Sequence, residues 1–365
     1  MENINAWSSE AIKDYEHIFE EFGLSRFSNT EISDSHLFRR EIIVAERDFS
    51  KIAEAIKKRQ KFLQLTGIAS SGDLHLGHKT DIDFYLEFRR LGAKSRFCIA
   101  DIDGYVSRPD SKVPSMKTAK EIAVRNAADA IALGIPPSEI YAQSNMPREY
   151  YQLSFEISKK ITNNMFEAIY GHTDLGKISS VLLQIADILH VQLPQYYGRA
   201  PSITGIGLDQ DPHARLTRDV ARRLDYNFEV PSFFYFRHLS GLKEGSKMSS
   251  SAPDTAIFLK DSPEEVEKKI GRAFTGGRES VEEQRKKGGN PEVCKVYEIF
   301  KFHNPDERFL SQTYSDCRSG KLLCGECKKN CIEFIKGMLK EHQEKHKQAI
   351  PEAKRIVLGS KSLSE

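Results

Sequence analysis

The chain has 365 residues, 39% of them hydrophobic and 29% charged, which fits a soluble globular protein too long for one ordinary core and sets two domains as the prior. Lysine plus arginine number 54 against 52 for aspartate plus glutamate, so a net charge of +2 gives no reason to expect DNA, and any RNA contact has to come from local patches. No run approaches the ~20 apolar residues of a membrane span and the first turns carry no apolar signal core, so no membrane partner is expected and a cytoplasmic location is.

Residues 1–60 read as helices, over 14–22, 34–38 and 49–58, the first ended by Gly23; the role of Trp7 is not legible. From Lys61 onward short apolar runs (62–65, 96–100, 140–143, 203–208 and 230–236) alternate with amphipathic helices. That alternation predicts an α/β fold with a doubly wound parallel sheet, whose ligands bind beyond the carboxyl ends of the strands.

Ser70-Ser71-Gly72-Asp73-Leu74-His75-Leu76-Gly77-His78 follows the first run and precedes a segment where Ile82, Tyr85, Leu86 and Leu91 recur at helical spacing. Strand, glycine-rich turn and helix in that order let backbone approach a phosphate and aim a helix amino terminus at it. His75 and His78 add two donors, and Gly77 leaves room for a flat base or ribose. Two histidines three apart equally suit an ordinary helix start.

At the end of the second run Asp101 and Asp103 suit helix caps; at a site for an amino acid, Asp103 is placed to receive the ammonium group. Residues 110–198 read as a mostly helical insertion, with helices over 117–133, 150–170 and 177–189. There Gln184, Asp187 and Ile188 share one helix face, and the polar pair either satisfies itself or meets a ligand. In Gly205-Ile206-Gly207-Leu208-Asp209-Gln210-Asp211-Pro212, glycine admits a ribose, Asp209 can accept from its hydroxyls and Gln210 can reach a substrate; Asp211-Pro212 also suits a helix start. Gly245-Ser246-Lys247-Met248-Ser249-Ser250-Ser251 is a small hydroxyl-rich loop with one lysine. It suits transient hold on a leaving pyrophosphate, or simply a solvated linker.

After a last apolar run, 256–259, the chain turns helical, and its basic residues, Lys328, Lys329, Lys336 and Lys340 among them, suit RNA phosphates as well as solvent. Of six cysteines, Cys98 falls in a predicted core strand, where it serves as a small apolar residue. Cys294, Cys317, Cys324 and Cys327, with Cys331 just beyond, favour a metal over disulfides in a chain without a secretion signal. Four thiolates close a tetrahedral zinc site or hold a cubane cluster; four reduced thiols are the plain alternative.

The histidine turn and the Lys247 loop, in that order, resemble the HIGH and KMSKS signatures of class I aminoacyl-tRNA synthetases. Asp209-Gln210-Asp211-Pro212-His213, followed by Arg215-Leu216-Thr217-Arg218-Asp219, resembles the archaeal and eukaryotic tryptophanyl-tRNA synthetases, as do 14–48 and 273–290. The resemblance spans about 14–355. It implies a helical extension (1–60), a Rossmann-like catalytic domain (61–260, with a connective insertion at 110–198 and a lysine loop at 241–253) and an all-α anticodon-binding domain (261–365). It implies ATP with Mg²⁺, L-tryptophan and tRNA(Trp) as partners, and a homodimer. By the same resemblance, His75, His78 and Lys247 are catalytic; Gly72, Gly77, Gly207, Asp209, Met248, Ser249 and Ser250 bind ATP; Asp103, Gln184, Asp187 and Gln210 bind the amino acid. The spacing of Cys294, Cys317, Cys324 and Cys327 is similar to that of a [4Fe-4S] cluster in some members, with Zn²⁺ the alternative. Tyrosyl relatives share the aspartate matching Asp187 but carry a tyrosine where Leu65 stands. The rival readings are a tyrosyl-tRNA synthetase, a small-molecule adenylyltransferase and a non-catalytic tRNA-binding paralogue.

Overall fold

The computed structural model describes residues 19–359 apart from 21, 172, 173, 246 and 251. Trp7, most of the helix expected over 14–22, Ser246 and Ser251 lie outside the described residues. Strands β1 (Ser25–Arg26), β2 (Ile43–Arg47), β3 (Leu63–Ala69), β4 (Lys94–Ala100), β5 (Ile140–Ala142), β6 (Ser202–Gly207) and β7 (Ser232–Phe236) form one sheet, ordered β1-β2-β7-β6-β3-β4-β5. The five runs read from the sequence are its five parallel strands, β7, β6, β3, β4 and β5. They read as unbroken apolar runs because both faces are covered. In β7 every residue is buried, Phe233 and Tyr235 in one hydrophobic cluster, Phe234 and Phe236 in the other.

One expectation is corrected. The segment 1–60 is not helical throughout: besides α1 (His36–Arg39) and α2 (Ser50–Lys57) it contributes β1 and β2, which extend the sheet antiparallel at the β7 edge and make it mixed. The β-branched pair Ile43-Val44 packs on the sheet, and Arg47 donates to the buried Asp211 at 2.9 Å. The last apolar run, 256–259, lies outside the sheet. Its backbone pairs with the histidine turn, Leu76 N donating to Ile257 O (3.0 Å) and Leu259 N to Leu74 O (2.9 Å).

From β3 the chain winds outward to β4 and β5, then returns to β6 and β7, so the strand order reverses between β3 and β6. That reversal opens a crevice at the carboxyl ends of these two strands. The crossings are made by α3 (Leu76–Arg90) after β3, α4 (Asp101–Val106) and α5 (Met116–Ala132) after β4, and α6 (Arg148–Ser158), α7 (Asn163–Tyr170) and α8 (Leu175–His190) after β5. Helix α9 (Asp211–Arg223) follows β6. Beyond residue 260 come α10 (Pro263–Gly271), α11 (Val281–Lys287), α12 (Lys295–His303), α13 (Glu307–Arg318) and the long α14 (Cys324–Leu358), which packs along α5. Among the described residues no helix is long and apolar enough to cross a membrane.

Candidate active site

The histidine turn is a helix start made by the two imidazoles themselves. His75 is the N-cap of α3: its Nδ1 accepts from Gly77 N at 3.1 Å, while His78 Nδ1 accepts from His75 N at 3.2 Å. A reciprocal pair of this kind satisfies two orphan donors of the first helical turn. The rings lie 3.9 Å apart, and a Cβ at Gly77 would come within 2.9 Å of the His75 ring, so glycine is needed here. Because each Nδ1 accepts, each ring proton sits on Nε2, the tautomer that offers an N–H beyond the cap. Burial, with neighbouring cationic groups adding to it, holds both neutral: His78 is pushed down to about 4 and His75 well below its ordinary value. The plain helix-start reading holds, and it leaves each Nε2 N–H as the donor that a ligand in the cleft would meet.

One cleft at the strand ends is lined by His75, Gly77, His78, Asp103, Gln184, Asp187, Gly207, Asp209, Gln210, Lys247, Met248, Ser249 and Ser250. Gly72 sits just behind it, its carbonyl accepting from Asn126 Nδ2 at 3.0 Å. The lysine thus stands on the same side of the sheet as the histidines. Met248, 5% exposed, anchors the loop, and its N–H donates to Leu239 O at 2.8 Å. Lys247 Nζ lies 3.1 Å from Asp209 Oδ2, whose Oδ1 accepts from His238 Nε2 at 2.8 Å. Burial alone would push the Asp209 carboxyl up; His238, Lys247 and Gln210 reverse that and hold it far below the usual carboxylate range. A Cβ at Gly207 would collide with the His238 ring, which explains a glycine there.

At the other end of the cleft, Asp187 accepts from Tyr141 OH (2.8 Å), Tyr150 OH (2.8 Å) and Gln143 Nε2 (2.7 Å). Burial still pushes its carboxyl up to about 6 despite those three donors. Asp103 accepts from Ser180 Oγ at 2.5 Å, whereas Asp101 is wholly buried and, contrary to the cap expectation, caps no helix: it accepts from Ile102 N at 3.1 Å and from Ser144 N at 3.0 Å. Ser180, Gln184, Asp187 and Ile188 present one face of α8 to the cleft.

Sequence reasoning missed His238, Tyr141, Gln143, Tyr150 and Asp81. Tyr141 and Gln143 occupy the carboxyl end of β5 and His238 lies just past β7, so the strand-end rule would have flagged them. Tyr150 and Asp81 carry no sequence signal. Asp81 lines the cleft one turn after His78, and burial, with Asp209 and Asp83 beside it, pushes its carboxyl up to about 8. Cys98, expected to be mere core, also lines the cleft.

The four cysteines come together from three helices. Cys294 caps α12, Cys317 lies in α13, Cys324 and Cys327 in the first turn of α14, and all four line one small cavity. Gly277 and Gly289 approach the sulfurs so closely that a Cβ would stand 2.9 Å from Cys324 Sγ and Cys317 Sγ, respectively. Burial and the neighbouring thiolates push Cys317 up to about 11 and Cys327 up to about 12. Cys331 is buried in the apolar core beside Ile335 and is not part of the cavity lining.

A family model of class I tRNA synthetases (W and Y) matches residues 57–340. The chain is 40% identical over 360 residues to the tryptophan–tRNA ligase of Aeropyrum pernix, covering 95% of this chain and 96% of that one. It is 39% identical to that of Methanocaldococcus jannaschii, with 98% of both chains covered. The chain belongs to the tryptophanyl-tRNA synthetase family. It superposes on the crystal structure of the Aeropyrum pernix tryptophanyl-tRNA synthetase with a TM-score of 0.87, over 94% of this chain and 96% of that one. A tryptophanyl-tRNA synthetase from Encephalitozoon cuniculi bound to tryptophan, 25% identical, gives 0.82 over 95% and 98%. As a member of this family the chain is an aminoacyl-tRNA ligase, and the tyrosyl alternative is not favoured.

Proposed function

We propose that the chain carries out its family's reaction, ATP-dependent ligation of L-tryptophan to tRNA(Trp), with the following division of labour. A tryptophan carboxylate oxygen attacks the ATP α-phosphorus; the bond to the β-phosphate oxygen breaks, giving tryptophanyl adenylate and pyrophosphate. The terminal ribose hydroxyl of the tRNA then takes the acyl group and AMP leaves. Such a displacement needs alignment and charge neutralisation more than a covalent residue. His75 and His78 donate from Nε2 to the phosphates as neutral imidazoles. Lys247, on its loop, neutralises the leaving pyrophosphate. Gly207 and Asp209 hold the ribose, with Gly72, Gly77, Met248, Ser249 and Ser250 around the nucleotide. Mg²⁺, arriving with ATP, supplies further charge neutralisation on the phosphates.

Asp103 receives the substrate ammonium and Gln210 reaches the bound amino acid. The indole N–H, donor only, goes to Asp187 or Gln184. Three donors fix Asp187 in place and leave one oxygen, Oδ2, with a single partner, which favours it as the acceptor. The observation carrying the whole reading is the convergence of two imidazoles and one amine, from loops after β3 and β7, on one cleft. It also opposes a non-catalytic RNA-binding role. The test is ATP–pyrophosphate exchange with each amino acid in turn: tryptophan is expected to support it and tyrosine not, and exchange with no amino acid ends the reading. In Asp187→Ala, kcat/KM for tryptophan should fall steeply, since a site built around a polar group discriminates by as much as about 10⁴–10⁵; an unchanged value ends the Asp187 assignment.

Cys294, Cys317, Cys324 and Cys327 are proposed to hold a [4Fe-4S] cluster that ties α12, α13 and α14 together in an anticodon-binding region. Cys317 and Cys327 are pushed up by burial, so a cationic group is what would ionise them. A brown colour in anaerobically purified protein tests this, and a colourless protein with one zinc overturns it. A homodimer fits the exposed Phe155 (75%) and Leu175 (80%) on α6 and α8, and a cytoplasmic location fits the tRNA substrate.

A further inference from the structure

Away from the cleft, one cluster of metal-ligating side chains joins α14 to α5. Asp129 of α5 accepts through a single oxygen, Oδ1, from His342 Nε2 at 2.9 Å and from His346 Nδ1 at 2.7 Å. The histidines are four apart on α14, so one helix face presents both rings. The three ligand atoms lie within 4.8 Å of one another. Asp129 and His342 are buried, with side chains 10% and 4% exposed, while His346 is 23% exposed and opens the group to water.

We propose that Asp129, His342 and His346 form a binding site for a borderline divalent transition-metal ion such as zinc, which clamps α14 onto α5. Two imidazoles and a carboxylate are a recurrent ligand set for such ions, with water in the remaining position. Bonds of about 2.0 Å at tetrahedral angles put ligand atoms about 3.3 Å apart. The present separations of 2.7 and 2.9 Å therefore need to open by only about half an ångström. Each imidazole that now donates to Asp129 passes its proton to its other ring nitrogen, so both bind as neutral ligands beside an ionised carboxylate. The ion would also brace the histidine turn, because α5 holds it through Arg125 Nε to Asp73 Oδ1 (3.0 Å) and Asn126 Nδ2 to the Gly72 carbonyl (3.0 Å).

The test uses the full chain, cleared of loosely held metal with a chelator and titrated with Co²⁺. One equivalent is expected to show ligand-field absorption without the sulfur-to-cobalt charge transfer that a cysteine site would give. His346→Ala and Asp129→Asn should each weaken that site by at least ~100-fold, since loss of a mere supporting partner already costs roughly 10–100-fold. Zn²⁺ should raise the Tm of the wild type and of Cys327→Ser, but not of His346→Ala, which removes the least buried of the three side chains and is the variant least prone to misfold. The proposal is overturned if His346→Ala binds as many ions as tightly as the wild type, or if only sulfur-ligated cobalt appears. Either result leaves the three side chains as a hydrogen-bonded latch.

Discussion

The histidine turn commits both of its Nδ1 atoms to closing the first turn of α3, whereas the lysine loop is pinned by the buried Met248 and by backbone bonds near its ends, and Lys247 only shares Asp209 with His238 and Gln210. The contrast teaches where catalysis and stability are coupled. Donors built into a helix cap cannot be removed without weakening the helix start, while a cation on a loop can be removed with little structural consequence. Rigid placement suits groups that must meet the phosphates in one geometry. A loop suits a group that has to release its product.

Removing the loop cation is expected to have the largest separable effect. Lys247→Ala should lower kcat for ATP–pyrophosphate exchange by about 10²–10³, the usual cost of one transition-state charge partner, while stability changes by less than about 0.5 kcal/mol, because His238 and Gln210 still partner Asp209. His78→Ala should cost a similar factor in rate and, in addition, about 0.5–2 kcal/mol of stability through the lost cap. If denaturant unfolding shows the two variants equally destabilised, the contrast fails.

Acid sharpens the same comparison. His78 is pushed down to about 4 from an ordinary 6.5, so the unfolded chain takes up a proton that the folded chain refuses. Its contribution is fully present above about pH 6.5 and is lost as pH falls toward about 4, at up to about 1.4 kcal/mol per pH unit. His213 and His303, each also pushed down to about 4 by burial, add to the slope. Urea unfolding of His78→Gln across that window should lose one proton's share of the slope; an unaltered slope would mean that the turn is not neutral because of its burial. The smallest effect is expected where the loops touch. Ser250 Oγ reaches Asp73 O at 3.5 Å, and Ser250→Ala should change stability by no more than about 0.5 kcal/mol and exchange only slightly. A loss comparable to Lys247→Ala would show the loop to be held by the turn rather than by Met248.

The parallel strands were legible because strands covered on both faces are apolar without interruption, and the chemistry because it sits at their ends. The antiparallel edge was not. Ile43-Val44-Ala45 is too short to carry a period, and what makes it a strand is the distant β7 it pairs with and the Asp211 that its neighbour Arg47 reaches. For the site, His75, His78, Asp209 and Lys247 announced themselves by motif, but the group that sets Asp187 did not. Tyr141, Gln143 and Tyr150 lie some 40 residues before Asp187, and only the fold turns three ordinary polar residues on one carboxylate. Asp101 and Asp103 show the same limit within one turn: two identical side chains, of which one is buried against backbone N–H groups and the other lines the cleft.

Helix α14 runs 35 residues, about 52 Å at 1.5 Å per residue, from Cys324 to Leu358. Its opening turn carries two of the clustered thiols, and its final carbonyls, those of Ile356 and Val357, accept from Asn145 Nδ2 at 2.6 and 2.8 Å just past the outermost strand, β5. It is a strut fixed at both ends rather than an arm that swings. A polypeptide stopped after residue 260 would bare the alanine-rich flank of α5 and the open margin of β5, so the portion holding the cleft is not a separable module and depends on the far end of the chain to stay in solution.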